Sequence, residues 1–259
     1  MAPRHVIAAS AILLVAAGAL VGCTSADSIE EPVSTPTATD APAEEPADGF
    51  SLPHIAACDE VPLEQGESID GVALGDCMAA AMVAAQTGRH RVDSSDGTSS
   101  VVEFSWTPDF AMSVDDGEQE VVIKGDTGWV RLPDAGWIQA DASSTDPAVV
   151  MATGIVELTR VFSDPRVLSA GIASSPTWTV VGEEPLPVDD AAANAAWLLT
   201  PDTPTTVLGV SLSDVQLWLR PDHLGAYFVG TGSMAGISVT TSNTFLEWGG
   251  EIDISVPED

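Results

Sequence analysis

Basic residues are scarce in this 259-residue chain: eight Lys and Arg stand against 39 Asp and Glu, and Lys124 is the single lysine. The formal net charge of −31 excludes nucleic acid as a partner, because phosphate binding is built on Lys and Arg. The same field repels anionic headgroups and wall polymers, so basic patches do not hold the protein at a membrane. Lysine poverty with abundant Ala, Gly, Val and Thr fits a high-GC, actinobacterial genome, and a halophile would show a similar bias. Three cysteines include no CxxC spacing, which leaves no redox motif. Histidine is sparse and scattered: His5, His54, His90 and His223 make no Cys/His grouping of the zinc type, and no metal or cofactor is expected. Enzyme signatures are missing as well. Gly230-Thr-Gly232-Ser-Met-Ala-Gly236 superficially resembles a dinucleotide loop, but its last interval is one residue too long and no helix is predicted after it. Ser233 lacks the flanking glycines of a nucleophile elbow. Asp93–Gly97 and Asp115–Gly117 lack the ligand spacing of a calcium loop and read as solvated turns. No fixed-period repeat occurs, and nothing supports catalysis.

What is present begins at the N-terminus. Arg4 and His5 precede an almost unbroken apolar run, Val6 to Leu20, which leads through Val21 and Gly22 to Cys23. That is the layout of a secretory signal, and the run is shorter than the ~20 residues needed to span a bilayer. The ending Leu20-Val21-Gly22-Cys23 resembles the bacterial lipobox, in which the Cys thiol is acylated and the chain is cut just before it. Residues 1–22 are therefore expected to be a signal peptide and Cys23 the lipidation site. Its acyl (palmitate-type) chains would anchor the protein with about 0.8 kcal/mol per buried CH₂. An ordinary signal with an incidental Cys23 is the competing reading.

From Thr24 to Phe50 the chain is dominated by Ser, Thr, Pro, Ala, Asp and Glu and has no basic residue. It can bury almost nothing, so residues 23–50 are expected to form a disordered acidic tether. Residues 51–259 are enough for one domain. With Cys23 acylated, Cys58 and Cys77 are left as a pair in an oxidising compartment. A disulfide between them would close a short loop worth about 3 kcal/mol; two buried free thiols are the alternative.

Within the domain, Leu74–Gln86 is rich in Ala and Met and predicts a buried helix. Short strand patterns follow at Arg89–Ser94, Ser99–Thr107, Phe110–Val114, Glu118–Lys124, Trp129–Leu132 and Trp137–Ala140, separated by turn residues such as Asp96-Gly97 and Asp116-Gly117. A second helix is predicted over Pro147–Phe162, with Asp146 as N-cap and Val150, Met151, Ile155, Leu158 and Phe162 at helical spacing. Asp164-Pro165 restarts a short helix through Ile172. Strands resume at Thr177–Gly182, Ala193–Thr200, Val215–Arg220, Ala226–Thr231, Ile237–Leu246 and Glu251–Val256; Asp202–Leu212 fits neither pattern cleanly. Helix, meander, helix, meander predicts an α+β fold: one large curved antiparallel sheet of roughly ten strands with helices packed on its concave face.

Four stretches carry a resemblance to a known family. They are the lipobox with its acidic tether; the Ala/Met helix running into Gly88-Arg89-His90-Arg91-Val92-Asp93; the Asp126–Trp137 hairpin with its Gly-Trp pairs; and Val215–Arg220 together with Phe245–Pro257. These resemble the LppX/LprA/LprF/LprG family of actinobacterial lipoproteins, which share a LolA-like half-barrel fold. The resemblance covers most of residues 68–257, and the Cys58/Cys77 pair departs from the family pattern. It implies a lipid or lipoglycan held in an apolar cavity and carried across the cell envelope, with the protein anchored to the outer face of the membrane.

Seven Trp, six Phe and six Met could line such a cavity, since acyl-chain burial scales with apolar area removed from water. The candidates, chosen for their place in central strands, are Met112, Ile123, Trp129, Trp197, Trp218 and Phe228; in strands such residues are more often plain core. A lipid carrier and a cargo-free interaction or scaffold module are the two classes in play. A continuous apolar void above ~300 Å³ separates them. The anchor stands on Cys23 alone. Replacing Cys23→Ala is expected to abolish acylation and release the protein into the medium, checked by fractionation after a salt wash. Retention on the membrane would sink the single-anchor idea.

Overall fold

The structure is a computed structural model that describes residue 50 and residues 52–258, apart from 134, 190, 192 and 235. Cys23, the signal and the tether lie outside the described residues. A single 3-10 turn, Ala56–Cys58, opens the domain, followed by β1 (Ser68–Asp70) and α1 (Gly71–Ala85). The Asp70 carboxylate caps α1 by accepting from the backbone N–H of Val72 and Ala73 at 2.9 and 3.0 Å, so the helix begins three residues before the predicted Leu74. Gly71 reads as a breaker in sequence but is a close-contact residue here. Leu74, Cys77, Met78, Ala81 and Ala85 form the buried stripe of α1.

The first meander runs β2 (Thr87–Ser94), β3 (Ser99–Ser105), β4 (Ala111–Asp115), β5 (Glu120–Lys124), β6 (Thr127–Leu132) and β7 (Gly136–Gln139). Then come α2 (Pro147–Ser163) and α3 (Pro165–Ala173), each capped by the aspartate before its leading proline. The second meander is β8 (Thr177–Pro185), β9 (Ala195–Pro201), β10 (Thr205–Val207), β11 (Val210–Leu219), β12 (Gly225–Met234) and β13 (Ile237–Trp248). All pair in one 13-stranded sheet in the order β1-β8-β9-β11-β12-β13-β2-β3-β4-β5-β6-β7, with β10 on β11. The ladders are antiparallel throughout. The sheet ends on β1 and β7 and does not close. The fold is the expected α+β half-barrel: eleven of the twelve predicted strand patterns form strands, β1 and β10 are additional, and Asp202–Leu212 supplies β10, a tight turn and the start of β11.

Two inner-face clusters fill the concavity. One joins α1 and α3 to β8, β9 and β11 through Leu74, Met78, Ile172, Trp178, Leu199 and Leu217. The other joins α2 and the end of α1 to β2–β6 through Ala81, Val102, Phe104, Ile123, Val130 and Val156. The helices seat closely. A Cβ on Gly75 would lie 2.6 Å from the Ser169 carbonyl oxygen, and one on Gly128 would lie 2.4 Å from Val156 Cγ1. This contact seats α2 so that, of the five apolar residues predicted at helical spacing, Ile155 packs against the second cluster and Phe162 is half-buried. The buried line of the helix is Ala152, Val156 and Thr159, small enough to sit on Gly128, while Val150, Met151 and Leu158 are exposed.

The outer face carries two smaller clusters. The β8–β9 connection covers one, around Leu198, Trp218 and Tyr227. The C-terminal segment covers the other, where Ile252 and Ile254 pack over Ala111, Val122 and Trp129. Glu251–Val256 is therefore not the strand its alternation predicted. Gly249 and Gly250, at φ +74° and +88°, turn the chain off β13, and it is held instead by Lys124 Nζ donating to the Ile254 carbonyl at 3.1 Å.

Cys58 and Cys77 form a disulfide, with Cα atoms 4.5 Å apart across a sequence separation of 19. It ties the N-terminal segment to α1. Cys77→Ser is expected to cost about 3 kcal/mol of stability with an unchanged fold, read as a shifted denaturation midpoint against the oxidised protein. Equal stability of the two would show the bond to be inert.

Candidate functional site

The two inner clusters do not meet completely. The break at Asp164-Pro165 turns α3 away from the line of α2, and an apolar recess opens between the helices and the middle of the sheet. Met78 and Met82 of α1 form one wall. Phe162 and Ser163 of α2, with Asp164, Pro165, Leu168 and Ile172, form the helical rim. The sheet supplies His90 from β2, Val102 and Phe104 from β3, Trp106 just after it, Met112 and Val114 from β4, Leu217 from β11, Phe228 from β12, and Asn243 and Phe245 from β13. A smaller void shares Leu168, Ile172 and Phe228 with it and continues beneath α3 toward Val207 and Leu212.

The recess has a volume of about 110 Å³ and is open to solvent on one side. That is below the ~300 Å³ at which ligand sites begin, so volume alone does not favour a carrier over an interaction module. With a methylene counted as about the size of a water at ~30 Å³, the enclosed room takes roughly four carbons.

Among the six sequence candidates, Met112 and Phe228 line the recess. Ile123 is on the inner face but fully buried in the filled half beneath α2. Trp197 is also on the inner face, half-buried on β9 against the first cluster and away from the recess. Trp129 and Trp218 belong to the outer-face clusters, because a side chain one register position from an inward neighbour points the other way. Central strands are not enough; parity decides the face.

The residues missed by sequence reasoning are polar or aromatic neighbours of the seam. His90 alternates inward between Gly88 and Val92 on β2, and that alternation was the available signal. Its ring lies 5.9 Å from Phe104 and 5.4 Å from Phe245, centroid to centroid, and Phe104 is 4.4 Å from Trp106. His90 keeps some accessible surface because it lines the recess, yet protein encloses it. Desolvation pushes its pKa down to about 4, so the ring is neutral at physiological pH. Asp164 sits at the rim with a carboxyl held below its ordinary pKa by hydrogen bonds from Arg166. No catalytic grouping is assembled among the described lining residues. Among the described residues, the cluster of Cys58, Cys77 and His223 has both sulfurs in the disulfide and offers no thiolates.

No family model matches the chain, and no curated protein matches it. Solved structures do. The chain is similar to Mycobacterium tuberculosis lipoprotein LppX at 13% identity and a TM-score of 0.42, over 71% of this chain and 98% of that one. It is also similar to a LolA superfamily protein from Nitrosomonas europaea, at 9% identity and a TM-score of 0.28, over 71% and 96%.

Neutral burial of His90 has a pH consequence. Its folded pKa of about 4 lies below the ordinary value of 6.5, so the unfolded chain binds the extra proton first as pH falls. The stability contribution is intact above pH ~6.5 and is lost progressively toward pH ~4, by about 2–3 kcal/mol at pH 4.5. His90→Phe is expected to remove that part of the acid sensitivity, measured as the difference between mutant and wild-type unfolding free energies at pH 7 and 4.5. An unchanged difference would show that His90 does not titrate as a buried neutral ring.

Proposed function

We propose that this protein is a cell-envelope lipoprotein, anchored through acylated Cys23, whose recess takes up an acyl chain and carries it across the envelope. The observation that carries the reading is the composition of the recess wall: Met, Phe, Val, Leu and Ile side chains surround a space that a folded core would ordinarily fill, and it opens to solvent on one side. Holding about four methylenes there would contribute up to roughly 3 kcal/mol before ordering costs, at ~0.8 kcal/mol each. The tether of residues 23–50 gives the domain reach from the membrane, and the lipid anchor supplies attachment that a −31 surface cannot. The recess assembles no nucleophile and base, and we read the protein as a carrier rather than an enzyme.

A cargo-free interaction module is the second reading, favoured by the exposed side chains of Val150, Met151, Leu158 and Val161 on α2. Native mass spectrometry of the chain expressed in a lipid-containing host decides between them. A co-purifying lipid is expected in the wild type, and Leu168→Trp, which fills the recess from α3, is expected to lose it while remaining folded. A wild-type chain with no bound species, or a variant that keeps its lipid, would leave the interaction module.

A further inference from the structure

We propose that the outward stripe of α2 docks on the surface of the lipid bilayer that holds Cys23, so that the domain lies against the membrane through a helix. The proposal rests on the Cys23 anchor and is independent of what the recess binds. The residues that α2 exposes lie on one arc of the helix: Pro147, Val150, Met151, Gly154, Leu158 and Val161, with Glu157 at its edge. Their spacing keeps them in line, over roughly 17 Å from Val150 to Val161 at ~1.5 Å per residue. Val150 is 52% exposed, and Met151, Leu158 and Val161 are each 43% exposed. Four large aliphatic side chains on one helix arc form a patch, unlike apolar residues scattered singly over a surface.

Charge sets this stripe apart. The chain has 39 carboxylates in 259 residues, yet the charged residues of α1, α2 and α3 are Asp76, Glu157, Arg160 and Arg166, two of each sign. Arg160 turns to the sheet, donating to the Gly125 and Thr127 carbonyls, and Arg166 pairs with Asp164. The acidic field therefore comes from the rest of the chain. A second copy would bring another such field against the first. Hot spots of protein partners are built on Trp, Tyr and Arg, and none of these stands in the stripe. Uncharged aliphatic side chains suit the headgroup–acyl boundary, where an amphipathic helix buries its apolar face ~5–10 Å deep. With no basic residue in it, the stripe gains nothing from anionic headgroups and takes a neutral or zwitterionic lipid surface.

Position agrees with charge. Phe50 lies against Gly249, whose N–H donates to the Thr87 carbonyl at 2.9 Å, just past the end of α1. Leu52 then packs on the inner cluster that contains Ala85 of α1 and Ala152 and Val156 of α2. The segment leading from Cys23 thus meets the domain on the helix side of the sheet. Between Cys23 and Phe50 stand 26 residues. A coil of that length has an r.m.s. reach of roughly 30 Å, which holds this side of the domain close to the bilayer at an effective concentration on the order of millimolar. A stripe this short binds weakly without that help, since stable attachment takes two signals. Release of Cys23→Ala into the medium is therefore still expected.

The test uses the full chain, acylated by a lipoprotein-processing bacterial host and reconstituted into phosphatidylcholine vesicles containing a phosphatidylcholine with a diazirine in its acyl chain. After illumination, lipid adducts are mapped by mass spectrometry. The stripe is expected to carry roughly fivefold more adduct than the exposed turn Ser95–Thr98, at the far end of β2 from Thr87, and the double variant Met151→Gln, Leu158→Gln is expected to lose that excess. Both positions are exposed, and circular dichroism checks the fold. Adducts inside the recess, at Leu168 or Phe228, report cargo and are expected to be equal in variant and wild type, which separates this contact from the proposed function. Stripe labelling no higher than that of the turn, or unchanged in the variant, would overturn the docking. So would a dimer of the Cys23→Ala chain that the two glutamines dissociate, because a second copy would then own the stripe. A chain with no acyl mass on Cys23 would remove the anchor and the docking with it.

Discussion

A wide antiparallel sheet has an apolar inner face that must be covered, and three helices do not cover thirteen strands. Open twisted sheets of this width curl, which brings the two ends toward each other and creates the concavity. Helix α2 serves the β6–β7 end, while α1 and α3 serve the β8–β11 end. Between them runs a seam whose width is set by the Asp164-Pro165 break. Proline at the start of α3 lacks the N–H that would continue α2, and the Asp164 carboxylate caps the new helix by accepting from the backbone N–H of Arg166 at 2.9 Å. The recess is a consequence of that local rule applied at one place in the chain.

What keeps the seam from collapsing is the way the helices are pinned on either side. α1 meets α3 through Gly71 and Gly75, whose Cβ positions are already occupied by the Ser175 and Ser169 carbonyls. The Cys58–Cys77 disulfide fastens α1 to the segment before β1. α2 is seated on Gly128 by Val156, and Arg160 reaches across to donate to the Gly125 and Thr127 carbonyls at 2.7 and 3.2 Å. Sliding either body inward would break these contacts, each made to rigid backbone. Cores tolerate a void only when the surrounding structure cannot relax into it, and here both walls are anchored to the sheet at short range.

Much of this was legible in the sequence. Asp146-Pro147 and Asp164-Pro165 announced both helix starts, the turn residues placed most strands within two or three residues, and cysteine parity paired Cys58 with Cys77. The face of each side chain was less accessible. α2 looked amphipathic through Val150, Met151 and Leu158, but close packing on a glycine selects Ala152, Val156 and Thr159, which carry little hydrophobic signal. Trp129 and Trp218 looked like cavity aromatics because aromatic content was weighed without the register. The alternation in Glu251–Val256 marks Ile252 and Ile254 as covered residues, but Val256 is exposed and the segment lies over the outer face without a ladder. The polar members of the recess were invisible for a different reason: a single inward His or Asn among apolar neighbours stands out only once the strand register is known.

The distribution of charge and polarity gives the molecule two unlike surfaces. Over the whole chain 39 carboxylates stand against eight basic residues, a field that repels anionic layers. Inside, the recess has apolar walls, a neutral imidazole and no cation. The exterior field extends only about a Debye length, ~8 Å at physiological salt, so it acts on whatever projects from the mouth rather than on a chain buried within. A ligand with a strongly anionic head would meet repulsion at the mouth and find no compensating charge inside. One with an uncharged head meets neither penalty, and its apolar part gains the full burial term. For the ligand proposed above, the acidic surface and the cation-free interior act in the same direction, and charge weighs more than chain length.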